Sequence, residues 1–298
     1  MVDKRLDGKV IVITGASSGF GKGAALKFAS LGAHLVLAAR REDLLDDIVE
    51  RCKTIGGLAI SVPTDVSNSA DVKNLFEKTI EGFGRLDVWI NNAGAAALGK
   101  FTEVPLADHF QVVQTDLCGT IYGSYFAMKR FEEQGFGTLI NVASMIARIP
   151  APYYSSYSAA KHGVLGLSGA LRQELAEQES EDIHVCTVLP MAMDTPFFEH
   201  AANYTGKEAK PIPPVSDAEE VVDVFLDLIF NPKAEVAVGR GAGVFSVSDS
   251  VAPGLTEAMM AKNTQMALDA ASDAEPSPGN LKHPTSQGAG VHGKHRKK

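Results

Sequence analysis

Short runs of branched apolar residues alternate along this chain with longer stretches in which apolar positions recur every three or four residues. The short runs are KVIVIT (9–14), HLVLAA (34–39), LAISVPT (58–64), LDVWIN (86–91), GTLINVA (137–143), IHVCTVLP (183–190) and EVAVG (235–239). Strands buried on both faces read as near-continuous apolar runs, and parallel pairing needs a crossover, usually a helix, between successive strands. The alternation therefore predicts an α/β fold, a doubly wound, seven-stranded parallel sheet of the Rossmann type with helices on both faces.

Two helical stretches stand out. Leu106, Phe110, Val113, Leu117, Ile121, Tyr125 and Met128 fall at steps of three or four, which predicts a long amphipathic helix. Between about Tyr154 and Gln178 the period is kept by Val164, Leu167, Leu171 and Leu175, with Ala159, Ala160, Gly163, Gly166, Gly169 and Ala170 interspersed. Glycine costs about 1 kcal/mol against alanine in a helix interior, so this many small residues imply a closely packed neighbour. The segment 251–271 reads as one more helix, and after Ala271 the composition turns to Pro, Gly, Ser and His, as in a poorly ordered tail. The expected organisation is one catalytic domain over 1–250, with a substrate lid at about 191–215, and a C-terminal extension over 251–298.

With 298 residues, 45% apolar and 21% charged, the chain can bury a substantial core. A net charge of -8 gives no general attraction to nucleic acid or to an anionic membrane. No apolar run approaches the ~20 residues of a membrane helix, and MVDKRLDGKV lacks a signal-peptide core, so a cytoplasmic location is expected. Cys52, Cys118 and Cys186 are far apart and form no metal-ligand spacing, which predicts reduced thiols and no metal.

Chemistry enters at TGASSGFGKG (14–23), where the first strand runs into a helix. Gly15, Gly19 and Gly21 suit a tight turn, close backbone approach to a diphosphate and phosphate binding at a helix N-terminus. No GK[ST] follows at the interval of a Walker loop. The spacing TGxxxGxG resembles the single-domain branch of the short-chain dehydrogenase/reductase family. On that resemblance Gly15, Ser17, Ser18, Gly19, Phe20 and Gly21 approach a dinucleotide, and Asp65 and Val66 contact its adenine. Asn91-Asn92-Ala93-Gly94 matches the NNAG motif of the family, placing Asn92, Ala93 and Gly94 along the cofactor, with Pro190 and Thr195 near the nicotinamide. The second strand ends in LAARRED, with Arg40 and Arg41 available to a 2′-phosphate and no acid before Glu42, so NADP(H) is expected over NAD(H).

In YYSSYSAAKHG (153–163), Tyr157 and Lys161 lie four residues apart on one helix face. A phenol titrates near ~10, and a neighbouring ammonium lowers that value toward the range useful for general acid/base work. The family places a serine thirteen residues before its YxxxK tyrosine, the position of Ser144. The resemblance then implies that Ser144 holds the substrate oxygen, Tyr157 exchanges its proton, and Lys161 binds the nicotinamide ribose and acidifies the phenol. Asp116 stands where the family has asparagine, and is expected to pair with Lys161 and to alter the pH dependence. Met191 stands where the family has glycine. Met145, Tyr153, Tyr154, Met191 and Phe197, with Phe198 and Tyr204, imply an apolar pocket for a small carbonyl or secondary alcohol. The family further implies a homodimer or homotetramer. The alternative reading is a non-catalytic NADP(H)-binding redox sensor on the same fold.

Overall fold

The computed structural model describes residues 5–243, 252–285 and 287–295. Its strands are β1 (Val10–Thr14), β2 (His34–Ala39), β3 (Leu58–Pro63), β4 (Val88–Asn91), β5 (Ala97–Leu98), β6 (Gly137–Val142), β7 (Ile183–Pro190), β8 (Ala202–Asn203) and β9 (Glu235–Val238). All seven apolar runs join one sheet in the order β3-β2-β1-β4-β6-β7-β9, with every neighbouring pair parallel. The order reverses beside β1, and open α/β sheets bind ligands outside the carboxyl ends of strands at such a switch point.

The period-2 geometry of a strand divides each run between two cores. Ile11, Ile13, Leu35 and Leu37 face α1 (Gly19–Ser30), α2 (Glu42–Thr54) and α8 (Ala218–Phe230), where Phe28, Leu45, Ile48 and Phe225 complete one cluster. Val12, Val36, Trp89 and Leu139 face α3 (Ser69–Phe83), α5 (Gly119–Gln134) and α6 (Ser155–Glu177), where Leu75, Phe131 and Leu175 complete the other. Burial of each such large side chain stabilises the fold by about 1.5–3 kcal/mol.

Two features depart from the pattern. β5 and β8 pair into a separate parallel ribbon, Ala97 with Ala202 and Leu98 with Asn203, too short to leave a period in the sequence. The long helix between β4 and β6 is α4 (Leu106–Val113), a π-helical turn (Gln114–Cys118) and α5, and several of its large apolar residues point outward while Met128 and Phe131 face the core. Leu106 is 69% exposed, Phe110 62% and Tyr125 63%. The inner face of the first turns of α5 is built from small residues, because a Cβ on Gly119 would stand 2.9 Å from Val66, and one on Gly123 2.6 Å from the Trp89 indole nitrogen. On α6, Gly163 serves the same purpose against Leu117, at 2.8 Å, whereas Gly166 has open space around it.

The extension forms α9 (Pro253–Asp269), so the predicted start of that helix and the boundary at 250/251 lie outside the described residues. The tail beyond α9 follows a defined course across the carboxyl edge of the sheet, pairing Asn203 with Ser277 before running toward α1. Among the described residues no helix is long and apolar enough to cross a membrane.

Candidate active site

The turn after β1 is built around the absence of side chains. Gly15 has φ +68°, in the left-handed region, and a Cβ there would lie 2.9 Å from Ala93 Cα. A Cβ on Gly21 would collide with the Gly15 carbonyl and stand 2.8 Å from Asn92 Nδ2. Thr14 Oγ1 accepts hydrogen bonds from the backbone N–H groups of Asn92 (3.0 Å) and Ala93 (3.1 Å), while Asn92 Nδ2 donates to the Thr14 carbonyl at 2.9 Å. The two glycine-bearing segments, remote in sequence, are thus one backbone cradle, and its close approaches fit a dinucleotide phosphate. Asn91 turns the other way, accepting from Trp89 Nε1 (2.7 Å) and donating to Asn141 Oδ1 (2.9 Å) in the core.

At the end of β2, Arg41 donates to the hydroxyls of Ser17 (Nη2, 2.9 Å) and Ser18 (2.9 Å). Arg40 extends from the same strand end to backbone carbonyls of the C-terminal tail. A compact cationic and hydroxyl cluster follows, of the kind that holds a phosphate.

On the other side of the switch point, Ser144 ends the segment after β6 and accepts from the Ile146 N–H at 3.3 Å. Lys161 Nζ donates to the Val142 carbonyl at 2.9 Å, lies 3.3 Å from Asp116 Oδ2 and 5.6 Å from the Tyr157 ring centroid. Asp116 sits in the π-helical turn, fully buried, and its Oδ1 accepts from the Ala95 N–H at 2.7 Å. The expected pairing of Asp116 with Lys161 is present in the geometry.

The electrostatics differ from the expected acidified phenol. Tyr157 is pushed above the ordinary tyrosine value, first by burial and then by the Asp116 charge, while its hydrogen bond with Ser144 acts in the opposite sense. The physical reason is first that burial disfavours the charged phenolate, and second that the Lys161 ammonium is paired with a carboxylate, so the phenol meets a dipole rather than a lone cation. Burial also raises Asp116 itself, opposed by Lys161 and by the Ala95 N–H.

Most of the residues picked out above line one cavity of ≈ 310 Å³ along the carboxyl edge of the sheet. It runs from Asp65 and Val66 past the glycine turn, Arg40, Arg41 and Asn92–Gly94 to Ser144, Tyr157, Lys161, Pro190 and Thr195. Met145, Tyr154, Met191 and Phe197 form its apolar end, with the Phe197 ring 5.5 Å from Tyr157. The exceptions are Gly21, beneath the turn, Asn91, in the core, Asp116, behind Lys161, Tyr204, whose hydroxyl donates to Asp108 Oδ2 rather than covering the pocket, and Tyr153, whose hydroxyl donates to Gln265 Oε1 on α9 at 3.1 Å. Tyr153 is thus corrected from the pocket to a brace of the C-terminal helix. Met260 and Asn263 of α9 and Asn280 and Pro284 of the tail also line the cavity. Met260 and Asn263 belong to the helix over 251–271, for which covering the active site is one of two expectations, whereas no local signal marks Asn280 and Pro284.

Known proteins match this arrangement. The family model described as short chain dehydrogenase matches residues 9–204. An uncharacterized oxidoreductase, YxnA, of Bacillus subtilis is 35% identical over 261 residues, 87% of this chain and 73% of that one. The 11-beta-hydroxysteroid dehydrogenase-like 3 protein of Arabidopsis thaliana is 39% identical over 189 residues, 63% of this chain and 60% of that one. The crystal structure of a short-chain type dehydrogenase/reductase from Mycobacterium marinum superposes with a TM-score of 0.70 at 27% identity, covering 80% of this chain and 97% of that one. Glycine cradle, switch-point groove and sheet order thus coincide with a match over most of the chain, and the protein belongs to the short-chain dehydrogenase family, oxidoreductases that bind a nicotinamide dinucleotide.

Proposed function

We propose that this protein is an NADP(H)-dependent oxidoreductase that interconverts an apolar ketone and its secondary alcohol, with Tyr157 as the general acid/base. The observation behind this reading is the convergence of Ser144, Tyr157 and Lys161 on the groove that the glycine cradle opens. The dinucleotide, when bound, supplies or takes the hydride. Ser144 Oγ holds the substrate oxygen, and in reduction Tyr157 donates its phenolic proton to that oxygen as the carbonyl carbon gains the hydride. Lys161, anchored on Val142 and Asp116, binds the ribose hydroxyls and restores the proton. Met191 narrows the apolar end of the groove where the family has a glycine.

Two arginines at the end of β2, with no carboxylate in front of them, support preference for a 2′-phosphate. The steroid dehydrogenase-like name of the plant relative, together with Met145, Tyr154 and Phe197, supports an alicyclic or otherwise apolar substrate. Conditions of the cytoplasm suit the three unpaired thiols. The outward apolar residues of α4 and α5 support a homodimer or homotetramer.

The test is consumption of NADPH and NADH, in parallel, against aliphatic, aromatic and cyclic ketones, with Tyr157→Phe as control. Turnover with NADPH that falls by about 10²–10⁴ in the variant is expected for loss of the general acid. Tight NADPH binding without turnover across the panel would instead favour the sensor reading.

A further inference from the structure

The donors at the cradle are already engaged, and by one segment of the chain. Arg40 donates from Nη2 to the Asn280 carbonyl (2.5 Å) and from Nη1 to the Leu281 carbonyl (3.0 Å). Arg41 Nη1 donates to the carbonyls of Thr285 (3.3 Å) and Gln287 (3.0 Å). Lys22 Nζ donates to the Ala289 carbonyl at 2.8 Å, and the Gly19 N–H, at the start of α1, donates to the Gly290 carbonyl at 2.9 Å. Two guanidinium groups, an ammonium and a helix N-terminal amide are the donor types that polyphosphate ligands require. Here each donates to a backbone carbonyl of the C-terminal tail.

We infer that the tail is an intramolecular competitor of the dinucleotide, a strap that occupies the phosphate donors of the groove and must be displaced before the cofactor binds. This rests on the dinucleotide reading proposed above. The strap is tethered at both ends, which gives it a high effective concentration over the donors. On one side Leu281, 1% exposed, packs among Ala95, Ala97, Val112 and Ala202, and Lys282 Nζ lies 3.3 Å from Asp108 Oδ1. On the other, Asp194 accepts from the His295 N–H at its carboxylate (3.0 Å) and from the Gly293 N–H at its carbonyl (3.2 Å).

The chemistry also makes the strap displaceable. No Asp or Glu occurs from Pro276 to the end of the chain, so the strap offers the cations only neutral oxygens. Hydrogen bonds to a phosphate are charge-assisted and roughly twice as strong as neutral ones, so a phosphate-bearing ligand exchanges favourably with these carbonyls. Affinity is then lowered by the fraction of molecules in which the strap is open. The strap residues themselves lie outside 9–204, the span that matches the family, while the donors they engage lie within it.

Hydrogen exchange of the full chain, with and without NADPH, tests the inference without altering a residue. Exchange of the 287–293 amides is expected to rise on NADPH binding, as the strap is expelled. In parallel, Leu281→Asp, and Leu281→Ala as a gentler change, loosen the anchor away from the donors. If the anchor is worth about one net hydrogen bond, the dissociation constant for NADPH should fall about tenfold. Increased protection of 287–293, or unchanged or weaker NADPH binding in folded Leu281 variants, would overturn the inference while leaving the dinucleotide reading intact. Binding of neither NADPH nor NADH by wild type and variants alike would sink the dinucleotide reading, and the strap with it.

Discussion

Asp116 is the single residue on which the proposed chemistry most depends for its pH range. Its carboxylate stands 3.3 Å from Lys161 Nζ and raises the phenol of Tyr157. Removing a negative charge beside a phenol favours phenolate, so Asp116→Asn is expected to lower the Tyr157 pKa. The rising limb of alcohol oxidation, which needs phenolate, should then shift to lower pH with activity retained. An unchanged pH–rate profile would show that Asp116 has no influence on the phenol. Asp116 was recognisable in QTDLCGT, but the raised Tyr157 was not, because it follows from burial and from a third charge that four-residue spacing does not report. The cysteines give a second residue-scale expectation. Burial pushes the Cys52 thiol up to about 11 and also raises Cys186, leaving only the half-buried Cys118 accessible. Ellman's reagent at neutral pH should therefore label at most one thiol in the native protein and three after unfolding.

At the scale of elements, the inner strands were legible because they are buried on both faces, so their apolar runs are almost uninterrupted. The glycine turn was legible for the opposite reason, that backbone contact demands residues without side chains. Gly21→Ala tests it: the added methyl would meet the Gly15 carbonyl and Asn92, whose amide donates to the carbonyls of Thr14 and Gly15. Destabilisation of about 1–3 kcal/mol is expected from such overpacking, read as a lower urea midpoint, together with weaker nucleotide binding. A variant with unaltered stability and affinity would show that the cradle can open at no cost. The helix between β4 and β6 was located by its period, which left its orientation open. Periodicity marks an apolar stripe, yet it cannot say whether that stripe faces the chain's own sheet or another surface. The inner face of the first turns of α5 is set by Gly119 and Gly123, whose significance appears only once Val66 and Trp89 are seen beneath them.

For the whole molecule, that outward stripe becomes an expectation about assembly. Leu106, Phe110 and Tyr125 are more than 60% exposed on one long helical rod, and Gly166 on neighbouring α6 has open space around it. A second copy packed there would remove these side chains from water, at about 25 cal/mol per Å² of apolar surface. Sedimentation of Phe110→Asp should show a shift toward monomer relative to wild type. A wild-type protein that sediments as a monomer at micromolar concentration would remove the case for this interface. The amino-acid sequence by itself determined the sheet and the glycine turn, each encoded by local period or by spacing within one strand-to-helix unit, and it singled out Ser144, Tyr157 and Lys161 through the family motif that it resembles. Only the tertiary structure decided that Tyr153 braces α9, that Asp116 sets the field at Tyr157, and that the tail lies on Arg40, Arg41 and Gly19. The physical reason is common to all three: they are contacts between segments distant along the chain, and no local pattern encodes which distant partner a side chain or a carbonyl will meet.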